Sequence, residues 1–459
     1  MFVHLCLLLT LIPLAVPFHL PLPLPRPASS ALPATRVVVV GGGFGGLNAA
    51  LALASSPSAA PSLSLSPPSR TDLHVTLVDP SERFVFLPLL YELSTSDADI
   101  DEVAPTFESL LAGSNVTFVR GAMSNLDLKA QTVSVEPTAA DSSTNSSAAP
   151  APSSLPYDYV VLATGMPRPK LDLSPPPPEA LHFSNLPAAL ALRGRLSSLI
   201  SDEKRDKRCV VIVGGGYSGV ELSTNICDRF SSEGVGADVH LLNRGGELLK
   251  RSSSEYNKKA ALKALEEKRV SVKLHTTVRA SSRDGAGRLE LSLSDNSTVP
   301  ADLLVYTSAP ATPSLFDADR SLRVVSGGGA WPNVFAVGDA ARVQNATESG
   351  TAQIAIAQAQ VAAYNIAASI DGNRLLRFNH LDLGEMMTLG SNSAAISALG
   401  GRVTLGGPLA SLVRRFVYSA RMPTQGQAFA AANLAGRSKI NSKRDAQKKK
   451  KKKREDCDK

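Results

Sequence analysis

The chain has 459 residues, a formal net charge of +7 and only 5% aromatic residues, a length that accommodates two or three domains. Residues 438–459 alone carry eleven Lys/Arg and four Asp/Glu, so the rest is formally neutral and offers no nucleic-acid-binding pattern of basic and aromatic residues. Four cysteines (Cys6, Cys209, Cys227, Cys457) form no C-x-x-C pair and seven histidines form no ligand spacing, which argues against a dithiol centre, an iron–sulfur cluster or another metal site.

In chain order, residues 1–34 read as an address. No acid precedes Asp72, and residues 2–17 are mostly apolar but too short for an ordinary spanning helix. Phe18 to Thr35 follows with Arg26, Ser29 and Ser30. The pair of segments resembles the bipartite presequence of algae with complex plastids, which implies a plastid location, on thylakoids or plastid lipid droplets.

Arg36 to Val40 is an apolar strand entering Gly41, Gly43 and Gly46, a G-x-G-x-x-G turn, and then a helix. These glycines serve a tight turn, close approach to a pyrophosphate and helix–strand packing. Ser55 to Arg70 reads as an insertion, which explains why the acid closing the next strand (Leu73–Val78), Asp79, comes 33 residues after Gly46. Asp79 is placed to accept hydrogen bonds from an adenosine ribose. Residues 115–119 and 132–135 are further strands, 137–156 a Ser/Ala/Pro loop, and Tyr159–Leu162 a strand before Ala163-Thr164-Gly165. A helix is expected over Leu186–Ser201.

The fingerprint then recurs. Val210 to Val213 enters Gly214, Gly216 and Gly219, 173 residues after the first, followed by Val220-Glu221-Leu222. Two such turns point to an enzyme holding two dinucleotides that exchange electrons. Where a dehydrogenase strict for the unphosphorylated nucleotide carries an acid, Val239–Leu242 ends in Asn243-Arg244. No carboxylate there repels a 2′-phosphate and Arg244 is positioned to pair with one, so NADPH is favoured with NADH as co-substrate; an arginine that only faces solvent is the alternative. Strands at 272–274, 289–293 and 303–307 complete this unit. Trp331 to Val337 then enters Gly338-Asp339, and Thr351 to Ile370 has a helical pattern.

The expected fold is α/β: two Rossmann-like dinucleotide-binding domains, one inserted in the other, plus a C-terminal membrane-associating region. The divisions are a presequence (1–34), one nucleotide domain in two parts (35–200 and 302–375), a second nucleotide domain (201–301), a C-terminal membrane-associated region (376–437) and a basic disordered tail (438–459). Arg414, Arg415 and Arg421 beside Phe416, Val417 and Tyr418 suggest an interfacial membrane surface; a helix covering a core or dimer face is the alternative.

The fingerprints, A-T-G and Gly338-Asp339 resemble the two-dinucleotide flavoprotein reductases. Phe86-Leu87-Pro88-Leu89-Leu90-Tyr91, Thr351 to Gln358 and Leu383-Gly384-Glu385-Met386 look like type II NAD(P)H:quinone oxidoreductases. Arg421-Met422-Pro423-Thr424 is similar to their cyanobacterial and plastid branch, which includes demethylphylloquinone reductase. The resemblance implies FAD in the first nucleotide domain, on Gly41, Gly43, Gly46 and Asp79, with Thr164 and Gly165 lining it and Asp339 at its ribityl–phosphate portion. It implies NAD(P)H in the second, on Gly214, Gly216 and Gly219, Glu221 near the nicotinamide, and a membrane quinone as acceptor, served by the C-terminal region. Gln353 matches the first glutamine of the family's A-Q-x-A-x-Q pattern; the second falls on Ala357, so either the adjacent Gln358 takes part or quinone is held differently. The implied activity is two-electron reduction of a plastoquinone- or demethylphylloquinone-type acceptor without proton pumping, with the lipid surface and a second copy of the chain as further candidate partners. A soluble flavoprotein with a small or protein acceptor, and a non-catalytic redox sensor, are the competing readings.

Overall fold

The computed structural model describes residues 34–54, 73–138, 153–166, 180–203, 207–250, 252, 254–284, 288–307, 314–345, 350–380 and 382–422. Almost all of the expected presequence, the basic tail, the insertion after Ala54 and the proline run at 175–178 lie outside the described residues.

The first unit is built on β1 (Thr35–Val40), β2 (Leu73–Asp79), β3 (Val116–Arg120) and β7 (Tyr159–Leu162). The aliphatic run Val37–Val40 is buried throughout, as a central parallel strand covered on both faces requires. β1 pairs in parallel with β2 on one side and β7 on the other, and β2 pairs with β3. The chain returns far later to finish this sheet: β18 (Gly329–Ala336) lies parallel to β7. Strands β16 (Phe316–Ala318), β17 (Arg323–Ser326) and β19 (Ala341–Val343) extend its edge. Two helices, α1 (Phe44–Ala54) and α8 (Ala352–Ile370), pack together against it. Thr351 caps α8 by accepting the Ile354 N–H at 3.2 Å.

Between β7 and β16 the chain makes the second unit, a five-stranded parallel sheet ordered β11-β10-β9-β15-β8. Its strands are β8 (Ala180–His182), β9 (Arg208–Val213), β10 (Ala237–Leu242), β11 (Ser271–Lys273) and β15 (Leu303–Tyr306). One nucleotide unit is thus inserted in the other. The expected boundaries at 200/201 and 301/302 cut through this sheet, because β8 pairs with β15 and β15 with β9. Three-residue β8 shows no alternating or apolar run, so its membership depends on what lies beside it. Helix α5 (Leu186–Ser201) has the expected bounds and starts on an Asn185 cap. Helix α6 (Tyr217–Ser232) packs on this sheet, and α7 (Glu255–Glu267) packs on α6.

Each unit carries a small antiparallel sheet: β4 (Ala122–Asp127), β5 (Thr132–Glu136) and β6 (Ser153–Pro156) in the first, β12 (Val278–Arg283), β13 (Leu289–Leu293) and β14 (Thr298–Ala301) in the second. β6 corrects the reading of 137–156 as loop throughout; pairing with β5 makes its exposed Ser-Ser a strand. The C-terminal part is a third small sheet, β20 (Glu385–Thr388), β21 (Ala394–Ala398) and β22 (Val403–Gly406), covered by α9 (Gly407–Ala420). Ile396 of the sheet and Ala410, Val413 and Val417 of the helix share one buried cluster. Among the described residues no helix is long and apolar enough to cross a membrane.

Candidate active site

Both glycine turns close in the same way. A Cβ on Gly46 would stand 1.7 Å from the Gly41 oxygen, and one on Gly219 would stand 1.7 Å from the Gly214 oxygen. Neither position admits a side chain, because the helix start sits directly on the strand end. Gly41 and Gly214 also hold φ of +100° and +126°, which L side chains rarely adopt. The middle glycines differ: a Cβ on Gly43 or Gly216 would meet nothing within 4 Å. The open space before each helix N-terminus is where a pyrophosphate can approach the backbone N–H groups.

The strand-end residues are also counterparts. Asp79 accepts the Gly42 N–H at 2.6 Å and the Ser81 N–H at 2.7 Å. Asn243 Oδ1 accepts the Gly215 N–H at 3.2 Å, and its Nδ2 donates to the carbonyls of Gly245 and Glu247 at 3.1 and 2.7 Å. Burial pushes the Asp79 carboxyl up from its ordinary value, against the two backbone N–H groups that pull it down. Asn243 does the same turn-closing work without charge. Arg244 is exposed and has no ion pair among the described residues.

A cleft of about 820 Å³ runs between the two turns, within the range of about 300–1,000 Å³ usual for ligand pockets. Its lining includes Gly43, Asp79 and Ser81 of the first unit's turn and strand end, Gly165, Gly338 and Asp339 from later in that unit, Ser218 and Glu221 of the second glycine helix, and Met386 and Tyr418 of the C-terminal part. Helix α8 presents Thr351, Ala352 and Ala355 to it. Phe44 packs edge-on against Phe84 and Phe86, with ring centroids 5.2 and 5.3 Å away. Phe86 in turn meets Tyr418 at 5.4 Å. Aromatic contacts therefore carry α9 onto the first glycine helix.

Around and behind Glu221 is a polar cluster drawn from five parts of the chain. Glu221, on the second glycine helix, is 6% exposed and accepts the Thr388 N–H of β20 at 2.9 Å. Tyr91, from helix α2 (Leu90–Ser94), hydrogen-bonds with Glu221 and shares a hydrogen bond with Ser218 at 3.0 Å. Its neighbour Glu92 takes the Arg414 guanidinium at 2.5 Å, with both side chains almost fully buried. Arg414 lies over the Tyr418 ring at 4.8 Å. Tyr217 and Ser252 both donate to Glu385 Oε2, the latter at 2.6 Å. Burial moves the Glu221 carboxyl from an ordinary 4.5 up to about 7, with Arg414 and the hydrogen bonds opposing and Glu92 adding to the rise. A carboxyl held near neutrality at a cleft wall can take up or give up a proton under working conditions.

Of the residues expected from sequence, Gly43, Asp79, Gly165, Asp339 and Glu221 line this cleft. Gly41 and Gly46 shape its first turn. Gly214, Gly216, Gly219, Asn243 and Arg244 form the neighbouring second turn. Thr164 is exposed and does not line the cleft. Gln353 is half-buried on α8, beside cleft-lining Ala352. Gln358 is placed differently from a quinone contact: it is 2% exposed, and its Oε1 accepts the Gly338 N–H at 2.7 Å. Its side chain ties α8 to the Gly338-Asp339 turn.

The expected membrane surface of arginines is also corrected. Arg414 points inward to Glu92, and Arg415 donates to the Ser391 carbonyl at 3.4 Å. The exposed face of α9 is instead apolar, with Leu409, Leu412 and Phe416 each close to half exposed. Sequence reading assigned no site role to Glu92 or Tyr217, took Tyr91 only as part of a family-like motif, and placed Arg414 on a membrane surface. For Tyr91 and Glu92 the available signal was an aromatic and an acid in the otherwise apolar F-L-P-L-L-Y-E segment. Cys209 and Cys227 are free, with thiols pushed up to about 12 by burial, so they are packing residues and not thiolate nucleophiles.

Two parallel nucleotide units, one inserted in the other and facing a shared cleft, define a two-dinucleotide flavoprotein. The pyridine nucleotide-disulphide oxidoreductase model matches residues 35–362. The chain is 35% identical over 405 residues to demethylphylloquinone reductase NdbB of Synechocystis sp., covering 85% of this chain and 92% of the relative. It is 32% identical to the chloroplastic/mitochondrial alternative NAD(P)H-ubiquinone oxidoreductase C1 of Arabidopsis thaliana, covering 86% and 79%. Among solved structures, NDH2 from Plasmodium falciparum in complex with NADH has the same fold at 15% identity, with a TM-score of 0.66 and coverage of 87% and 97%. The chain belongs to the pyridine nucleotide-disulphide oxidoreductase family and, within it, to the type II NAD(P)H:quinone oxidoreductases. It is an FAD enzyme with NAD(P)H as co-substrate. The open approach at Gly43, the strand-end Asp79 and the cleft past Asp339 fit that cofactor.

Proposed function

We propose that this enzyme oxidises NADPH, with NADH as a second donor, and reduces a plastoquinone- or demethylphylloquinone-type acceptor at a plastid membrane surface without pumping protons. The observation that carries the reading is a cleft lined in common by Asp79, Glu221, Met386 and Tyr418. Tyr418 belongs to the helix whose outer face bears Leu409, Leu412 and Phe416. An exposed apolar face on a helix that also contributes to the cleft lining suits an acceptor dissolved in lipid.

When bound, FAD supplies the redox chemistry, taking hydride from the nicotinamide and delivering two electrons to quinone. The chain supplies placement. Gly43 and Gly216 leave room for the two pyrophosphates, and Asp79 offers acceptor lone pairs to the adenosine ribose. Gly165 stands beside the flavin site while Thr164 stays outside the cleft lining, and Asp339 stands toward the flavin's ribityl–phosphate portion. Asn243 presents no charge to a 2′-phosphate, and Arg244 is free to pair with one. Glu221 holds a proton at the wall near the nicotinamide. Gln353, beside Ala352, is assigned to the quinone side of the α8 N-terminus. The acid-free stretch before Asp72 and the relative named as chloroplastic/mitochondrial support the plastid location.

The test is steady-state turnover of the FAD-loaded enzyme, crossing NADH and NADPH with demethylnaphthoquinone-, phylloquinone- and plastoquinone-type acceptors, with and without liposomes. We expect NADPH and a lipid-soluble quinone to give the highest kcat/KM, with binding to vesicles reduced by Phe416→Glu. Reduction of soluble acceptors alone, with every quinone untouched, would refute the acceptor assignment.

A further inference from the structure

The Arg414–Glu92 pair lies behind the cleft lining, with Arg414 packed on the cleft residue Tyr418 and Glu92 next in sequence to the cleft residue Tyr91, yet nothing above gives it work in the reaction. Its geometry is poorly suited to a purely structural clamp. Glu92 Oε2 and Arg414 Nε have no hydrogen-bond partner among the described residues, and a buried ion pair with unsatisfied atoms contributes little net stability. The charge count is more informative. The cluster holds two buried carboxyls, Glu92 and Glu221, and one buried cation, Arg414. Glu92 takes the direct contact. Glu221 is left with only the remaining attraction of Arg414 and the repulsion of Glu92. The other titratable groups around it are Tyr91 on α2, Tyr217 on its own helix, Glu385 on β20 and Tyr418 on α9; none of these adds a cation.

We propose that Arg414 and Glu92 are a positioning pair for the reaction: together they set how much positive charge Glu221 meets, and so the pH range over which the enzyme turns over. The pair also joins α9 to α2 across 322 residues, so this charge balance exists only when the C-terminal helix is seated. The inference rests on Glu221 working at the cleft wall, as proposed above.

The experiment is the pH dependence of flavin reduction by NAD(P)H in a single turnover of the FAD-loaded enzyme. The limb that Glu221→Gln abolishes is the one to follow. Glu92→Gln removes a negative charge and leaves Arg414 to Glu221, so that limb should move to lower pH by about one unit or more. Arg414→Gln removes the cation, so the limb should move to higher pH. A structural clamp would lower stability in both variants without moving the limb in opposite directions. If Arg414→Gln does not fold, Glu92→Gln still decides, since a limb within about 0.3 unit of wild type overturns the proposal. A profile unchanged by Glu221→Gln would overturn the placement of Glu221 itself, and the pair's role with it.

Discussion

Gln358 gives the sharpest test of where the glutamines of α8 act. Its carboxamide is buried and its Oε1 accepts the Gly338 N–H at 2.7 Å. Gly338 holds φ of +67° one residue before Asp339, and a Cβ on it would touch the Ala355 methyl at 3.4 Å. Gln358→Leu keeps much of the volume and removes the acceptor. A buried unsatisfied N–H costs about 1–3 kcal/mol. Gly338 itself is half-buried, and partial access to water places the expected cost in the lower part of that range, about 1–2 kcal/mol. If FAD binding must reorder the turn at its own expense, affinity falls by roughly 5- to 30-fold. Melting of the apoprotein should fall by about 2–4 °C per kcal/mol. Titration of apoenzyme with FAD and thermal melting read these effects, and stopped-flow absorbance reads the two half-reactions at saturating FAD. The expected result is weakened flavin binding with both half-reactions near normal once FAD is saturating. Unchanged FAD affinity and melting, with flavin reoxidation by quinone selectively slowed, would refute the tether and return Gln358 to the quinone site.

The other predictions concern charge, space and nucleotide choice. Gly43→Ala should leave apoprotein melting unchanged, since its Cβ meets nothing, but weaken FAD at least about tenfold by crowding the pyrophosphate; Gly46→Ala, with its Cβ 1.7 Å from the Gly41 oxygen, should fail to give soluble holoenzyme. Glu221 titrates near 7 when folded against an ordinary 4.5, so between these values the folded chain holds more protons than the unfolded chain and its stability falls as pH rises. Glu221→Gln removes that dependence, and urea midpoints should show the variant gaining on wild type between about pH 5 and about pH 8. Asn243→Asp retains the acceptor for Gly215 but adds charge and loses two donated hydrogen bonds; with Arg244→Ala it should lower the NADPH/NADH ratio of kcat/KM by roughly 10- to 100-fold. Equal changes for both nucleotides would remove this strand end from nucleotide selection. Gln353→Ala should slow reoxidation by quinone more than reduction by NAD(P)H, and equal half-reaction rates would place quinone elsewhere.

What the sequence alone determined is what local backbone geometry demands. An aliphatic strand, glycines at three set positions and a helix form a unit whose constraints lie within a few residues, so both turns were legible at once. Asp79 was legible despite the insertion because the strand before it ends the same way. The inserted arrangement followed from Trp331–Val337 entering Gly338-Asp339 late in the chain. Tertiary structure decided the rest, because the deciding partner was far away. β8 is a strand only because β15 lies beside it. The arginines of α9 look alike in sequence, and only the facing carboxylate of Glu92 turns Arg414 inward while Leu412 and Phe416 stay out. On α8 both glutamines suit a polar site, but five residues along the helix lead from the edge of the cleft to the core, and the N–H of Gly338 claims Gln358. Hydrophobic pattern and glycine spacing are properties of a segment. The state of a buried charge or amide depends on what the fold brings against it.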